Sequence, residues 1–260
     1  MHPTSIDTIL WLLGIVGEVL LVTILLFRRS YRIFPIFCAW ALLLLLTEPT
    51  FYWVSLKASQ ATYDKVYFAL NFPQYLLEAG VLAEIALNVT SPVKRSLSKP
   101  LMIAFATSMG LIAICGFLVA ATLNASTLAN PRAFMVINTT MAILRLATFL
   151  LIAGFSQVLG LNWKNHVLQL ASGLAFYAII TLIVDFSQSH LWAGPNYASE
   201  FFALDHLRIA GYLCALYFWC YAFAKKEAPR KEFSPQMTKF LVSISGSTKR
   251  QRAVLARTRN

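Results

Sequence analysis

Charge is scarce in this chain. Only 13% of its 260 residues are Asp, Glu, Lys or Arg, and 58% are hydrophobic. A soluble globular domain carries roughly 25% charged and 45–50% apolar residues, so an ordinary solvated surface is excluded. Short motifs that announce chemistry are also missing: no HExxH zinc pair, no GxSxG nucleophile elbow and no nucleotide loop. The last apolar run has no lysine at its middle, which excludes a retinal Schiff base on ordinary rhodopsin grounds. Cys38, Cys115, Cys214 and Cys220 all fall in apolar stretches and form no CxxC pair, so no disulfide framework is implied. No internal repeat suggests the inverted halves of many transporters.

What the chain has is apolar length. Seven runs stand out: Ile6–Phe27, Ile33–Leu56, Val66–Val89, Leu101–Leu123, Ala133–Leu161, Val167–Phe186 and Phe201–Ala224. Each approaches or exceeds the roughly 20 residues that carry a helix across a hydrocarbon layer of about 30 Å. They predict an all-α polytopic membrane protein, a seven-transmembrane-helix bundle over residues 1–224 followed by a basic tail, 225–260. No Lys or Arg precedes the first run and no A-x-A-like site ends it, so it reads as a span and not a signal peptide.

The formal net charge of +11 is distributed for a membrane and not for nucleic acid. One set of alternate loops holds Arg28, Arg29, Arg32, Lys94, Arg95, Lys99 and Lys164, and ten further basic residues follow Ala222. The other set holds Lys57, Lys65 and Arg132. Basic residues accumulate on the cytoplasmic side. This predicts an outside N-terminus and a cytoplasmic C-terminus in an inner (plasma) membrane. In the tail, Met237, Phe240, Leu241 and Ile244 have the i, i+3, i+4, i+7 spacing of an interfacial helix. Beside Lys249, Arg250 and Arg252 that segment suits anionic lipid headgroups, with a disordered basic tail as the other reading. Several of the six tryptophans stand near run ends, as interface anchors do. Pro35, Pro49 and Pro73 read as ordinary kinks, or as a widening between the second and third helices.

Charge inside the runs is rarer still, and costly. Arg145 sits in the middle of the fifth run, where a guanidinium costs at least ~2.5–3.5 kcal/mol. Glu18, Glu48, Glu78 and Glu84 lie in the other runs as possible partners. At 100° per residue, Asn138 and Ser156 fall within about 20° of Arg145, giving the fifth helix a polar stripe. Asn71, Gln74, Tyr75 and Glu78 form a second stripe, within about 100° on the third helix. Glu78 and Arg145 are both near mid-span, so an ion pair between these helices is expected. Glu84 lies about 120° around from Glu78 and should face another neighbour. Glu48 shares a face with Tyr52 and Ser55. These residues, Arg145, Glu78, Glu84, Glu48, Glu18, Asn138 and Ser156, are the candidate network. It reads as polar glue that fixes helix register, with a ligand or ion site and a proton relay as the other readings.

Asp185, His190, Asp205, His206 and Arg208 read as an interfacial polar belt in which Asp205 and Arg208 can pair locally at i, i+3. Their spacing matches no metal signature. His166 lies toward the opposite side, which leaves no bis-histidine haem pair. Neither a metal nor a cofactor nor a catalytic residue is expected. The string Asn124-Ala-Ser matches a glycosylation sequon.

Leu159-Gly-Leu-Asn-Trp163-Lys-Asn-His166, followed by Ser172-Gly173, resembles a block in uncharacterised seven-helix membrane proteins abundant in acidobacterial genomes. The Arg28-Arg29 cluster with Tyr31 and Pro35, and the Glu78/Glu84 pair, are similar too. The likeness spans most of residues 9–224, and this chain departs from it at Lys164, where arginine is expected, and in its long basic tail. It implies a bacterial inner-membrane protein and no activity. Two functions follow for test. One is a non-enzymatic sensory or partner-binding protein with a polar intramembrane site and a cytoplasmic partner. The other is a small proton- or ion-coupled transporter.

Overall fold

A computed structural model describes residues 5–57, 60–90, 131–155, 165–191 and 197–226. The fourth run, the sequon, Ser156, the segment 159–164 and the tail beyond 226 lie outside the described residues. Among the described residues there are six α-helices and no strand: α1 Ser5–Phe27, α2 Pro35–Lys57, α3 Gln60–Thr90, α4 Pro131–Phe155, α5 His166–Leu191 and α6 Tyr197–Ala224. A 3-10 turn, Ser30–Arg32, joins α1 to α2. Five segments of these helices are long and apolar enough to cross a membrane: Ile6–Phe27, Pro35–Val54, Ile137–Gly154, His166–Gln188 and Ala203–Ala224. The described residues are helical apart from the turns, and the chain is a multi-pass membrane protein.

Local chemistry explains the ends and bends. Pro35 and Pro131 stand at the first helical positions of α2 and α4, where a missing N–H removes nothing and the fixed φ suits a helix. Asn165 caps α5, its Oδ1 accepting from the Val167 amide at 2.9 Å. The third apolar run starts at Val66, whereas α3 starts at Gln60. Hydropathy marks apolar length and not the polar turns by which a helix extends beyond it. Pro49 and Pro73 lie inside α2 and α3 and cannot donate to the preceding turn. Nearby side chains bond to the backbone around them. The hydroxyls of Thr47 and Thr50 donate to the Leu43 and Leu46 carbonyls at 2.6 and 2.8 Å, and the Asn71 amide donates to the Tyr67 carbonyl at 2.7 Å.

Side-chain contacts fix the direction of each helix. Trp11 stacks on Tyr52, joining the start of α1 to the end of α2. Phe51 lies against Tyr67, joining the end of α2 to the start of α3. Thr139 near the start of α4 meets Asp185 near the end of α5, and Asp185 meets Arg208 near the start of α6. Each of these pairs is antiparallel. α1 and α6 are parallel: Asp7 bonds His206 at their starts, and Arg28 donates to the Ala224 carbonyl at their ends. It follows that α3 and α4, consecutive among the described helices, also run the same way. The helices close into a ring, with α3 touching both α4 and α5, and α1 touching both α2 and α6. We call the end where α1 begins proximal and the other distal.

The core is densest in the distal half. Phe34, Phe37, Trp40, Trp219 and Phe223 form a buried aromatic cluster, and the ring of His166 stacks on Phe223 with centroids 4.9 Å apart. Leu46, Ile143, Leu151, Ile183 and Phe186 are instead exposed on the outside of the bundle, the inversion a lipid solvent permits. Small residues let the backbones approach. A Cβ on Gly173 would sit 2.2 Å from the indole nitrogen of Trp219, which donates to the Leu170 carbonyl at 3.3 Å. Gly173→Ala must therefore displace a fully buried tryptophan, an overpacking cost of about 1–3 kcal/mol. Thermal unfolding in detergent, followed by tryptophan fluorescence, should show a lower Tm for Gly173→Ala. Gly154→Ala, with open space around it, should leave the Tm unchanged.

Candidate functional site

Glu78 and Arg145 meet in the bundle interior. The Arg145 guanidinium forks onto the carboxylate, Nε donating to Oε1 and Nη2 donating to Oε2, the latter at 2.7 Å. Both side chains are almost wholly buried, 4% and 3% exposed, so solvent does not screen the pair. Two parallel charge-assisted bonds are the geometry in which a guanidinium best offsets its desolvation. The third nitrogen, Nη1, is buried with no acceptor among the described residues. The Tyr177 ring covers the guanidinium, its centroid 5.0 Å from Cζ, an arrangement that favours a cation over the π face.

The polar line continues across the bundle. Tyr177 on α5 packs edge-on against Tyr212 on α6, with centroids 5.8 Å apart. The Tyr212 hydroxyl donates to Glu18 Oε1 on α1 at 2.7 Å. Glu18 is 1% exposed, and its other oxygen, Oε2, has no partner. Glu48 on α2 stands within electrostatic range of both Glu18 and Tyr212. Glu78, Arg145, Tyr177, Tyr212 and Glu18 thus make one string from α3 through α4, α5 and α6 to α1. The two tyrosines were not among the candidates because a mid-span tyrosine stands out only where it shares a stripe with charged or amide side chains, as Tyr75 does. Its hydroxyl, which needs a partner when buried, is the signal that could have found them.

Two of the expected members go elsewhere. Asn138 shares the inner face of α4 with Arg145 but bonds Asp185, at 3.3 and 3.5 Å. Asp185 also accepts from the Thr139 hydroxyl at 2.8 Å and from Arg208 Nη2 at 2.5 Å. Asn138 lies about two turns nearer the proximal end than Arg145, so one stripe serves two separate clusters. Arg208 also donates to Gln188 Oε1 at 3.2 Å, and its distance to Asp205 is 3.9 Å. Its principal partner is therefore Asp185 on another helix and not its i, i+3 neighbour.

Glu84 is a helix cap. Its two oxygens accept from the Ile36 and Phe37 amides, both at 3.0 Å, satisfying two of the donors that the start of α2 leaves over. One turn on, Asn88 donates to the Ile33 carbonyl at 3.1 Å. The distal end of α3 thereby grips the turn that leads into α2. In that turn Arg29 adopts the left-handed conformation, φ 55°. Among the described residues no three His, Cys, Asp or Glu side chains gather as a metal ion would need.

No protein-family model, curated protein or solved structure matches this chain.

Removing one member of a buried pair strands the other, at about 3–5 kcal/mol, whereas replacing both with apolar residues is often neutral. Arg145→Leu should therefore destabilise the protein strongly, and Arg145→Leu with Glu78→Leu should recover much of the loss, read as Tm in detergent in a double-mutant cycle. A double variant no better than the single would show that Glu78 is not the compensating charge. Glu84→Leu, which strands two amides at about 1–3 kcal/mol each, should open the start of α2. Hydrogen exchange should rise at Ile36 and Phe37 and stay unchanged at the proximal end of α2.

Proposed function

We propose that the chain is a non-enzymatic sensory or partner-binding seven-helix protein, with the string between Glu78 and Glu18 as its responsive site. The observation that carries this is the linkage itself. Five helices meet one polar line, so a change of charge or hydrogen bonding at any member is felt across the bundle. The charged and hydroxyl groups at its two ends must keep their partners in a medium of low dielectric, and the rings of Tyr177 and Tyr212, packed edge-on, join them. A small local event can thus be converted into a rearrangement of helices.

Seven spans suit the parallel course of α3 and α4. Their connection has to return from the distal to the proximal end, and the apolar run Leu101–Leu123 falls inside it. The arginines and lysines flanking the distal ends of the helices support a cytoplasmic distal end and an outside N-terminus, in a bacterial inner membrane. The basic tail would then meet anionic headgroups or a cytoplasmic protein that carries the output. The resemblance to acidobacterial seven-helix proteins belongs to the same proposal and adds no activity to it.

Reconstitution separates this function from transport. We expect proteoliposomes to show no flux under proton or cation gradients. A cytoplasmic protein should co-purify with the full chain and be lost when the chain is truncated after Lys226. Flux that follows a pH gradient and vanishes in Glu78→Gln would instead make the protein a proton-coupled transporter.

A further inference from the structure

The Glu18 end of the string differs from the Arg145 end in having no counter-cation among the described residues. Glu18 is 1% exposed. Among the described residues it accepts one hydrogen bond, from the Tyr212 hydroxyl at 2.7 Å to Oε1, and its buried Oε2 has no partner. The carboxyl group of Glu48 on α2 lies within electrostatic range of it. The charged groups on the packed helices are engaged elsewhere. On α6, Arg208 is held by Asp185 and Gln188, and His206 is bonded to Asp7 of α1. Arg145 lies beyond Tyr177 and is committed to Glu78. No Lys or Arg occurs in α1, or in α2 before Lys57.

We propose that Glu18 and Glu48 form an intramembrane proton site that binds one exchangeable proton at Glu18 Oε2. Two carboxyl groups that share a space of low dielectric do not both remain ionised, because each charge opposes the other and neither is solvated. The unpartnered oxygen of Glu18 is where the pair can take up a proton as a covalent O–H bond without displacing the hydrogen bond from Tyr212. The step balances simply: a hydronium ion from water gives its proton to Oε2 and becomes water, and release reverses this. No electron moves. Loading changes the acceptor that the Tyr212 hydroxyl meets, and Tyr212 passes the change to Tyr177, whose ring covers Arg145. This site rests on the sensory function proposed above and makes the proton the quantity sensed.

The test is infrared difference spectroscopy of the full chain in lipid vesicles, across a pH range in which it stays folded, in H2O and D2O. The carbonyl stretch of a protonated carboxyl group should appear as the pH falls and shift in D2O. It should be absent from Glu18→Gln, a variant whose amide oxygen can still accept from Tyr212. Glu48→Gln should keep the band and move its pH midpoint, and Tyr212→Phe should shift its frequency. A Glu18 band that never appears, or one that stays constant at every pH, would overturn the proposal. The spectroscopy needs neither a partner nor a gradient. Failure of the sensory function would therefore show in the flux and co-purification results, and failure of the proton site in the infrared band alone.

Discussion

A guanidinium in the middle of a hydrocarbon layer cannot be left alone, and the arrangement of this bundle follows from how that charge is held. Arg145 can be buried because α3 brings Glu78 to it in a bidentate fork and α5 lays Tyr177 over its face. Both contacts need a particular rotation of three helices about their axes, since a turn of a few tens of degrees would carry either group out of reach. Apolar packing against lipid tails gives little preference for one rotation over another. The pair supplies that preference, and the side chains of Trp219 and Ile180 pack closely over Gly173 and Gly211.

The remaining polar groups divide by depth. Near the proximal end, Asp185 gathers Asn138, Thr139 and Arg208 and ties α4, α5 and α6 together. At the distal end, Glu84 and Asn88 of α3 hold the entry to α2, and Arg28 binds the last carbonyl of α6. These clusters pin the two ends of the bundle. The string between them crosses the middle and includes two buried polar atoms, Arg145 Nη1 and Glu18 Oε2, with no partner among the described residues; Arg208 Nε and Gln188 Nε2 of the proximal cluster share that state.

Much of this was legible in the sequence, for definable reasons. A long apolar run is a helix because lipid leaves the backbone no other partner, so five of the spans could be read from hydropathy alone, whereas α3, with its buried acids, is not apolar enough to be among them. Arg145 and Glu78 could be paired because both were mid-span and cost forbids leaving either alone. Glu84 could not be recognised as a cap, since the amides it serves, those of Ile36 and Phe37, leave no trace in residue type. Asn138 was grouped with Arg145 because a helical wheel gives direction around an axis and not the identity of the neighbour at each depth. The link from Arg145 to Glu18 was hidden in Tyr177 and Tyr212, which look apolar until packing shows where ring and hydroxyl lie.

The central claim is that Arg145 is held by Glu78, with the other buried acids differently engaged. Solid-state NMR in lipid bilayers tests it directly, through dipolar coupling between the 15N-labelled guanidinium of Arg145 and 13C-labelled glutamate side-chain carboxyl carbons. The account predicts strong coupling to a single carboxyl carbon, assigned to Glu78 by its disappearance in Glu78→Gln and its persistence in Glu18→Gln. Strong coupling that survives Glu78→Gln, or its loss in Glu18→Gln, would contradict the account.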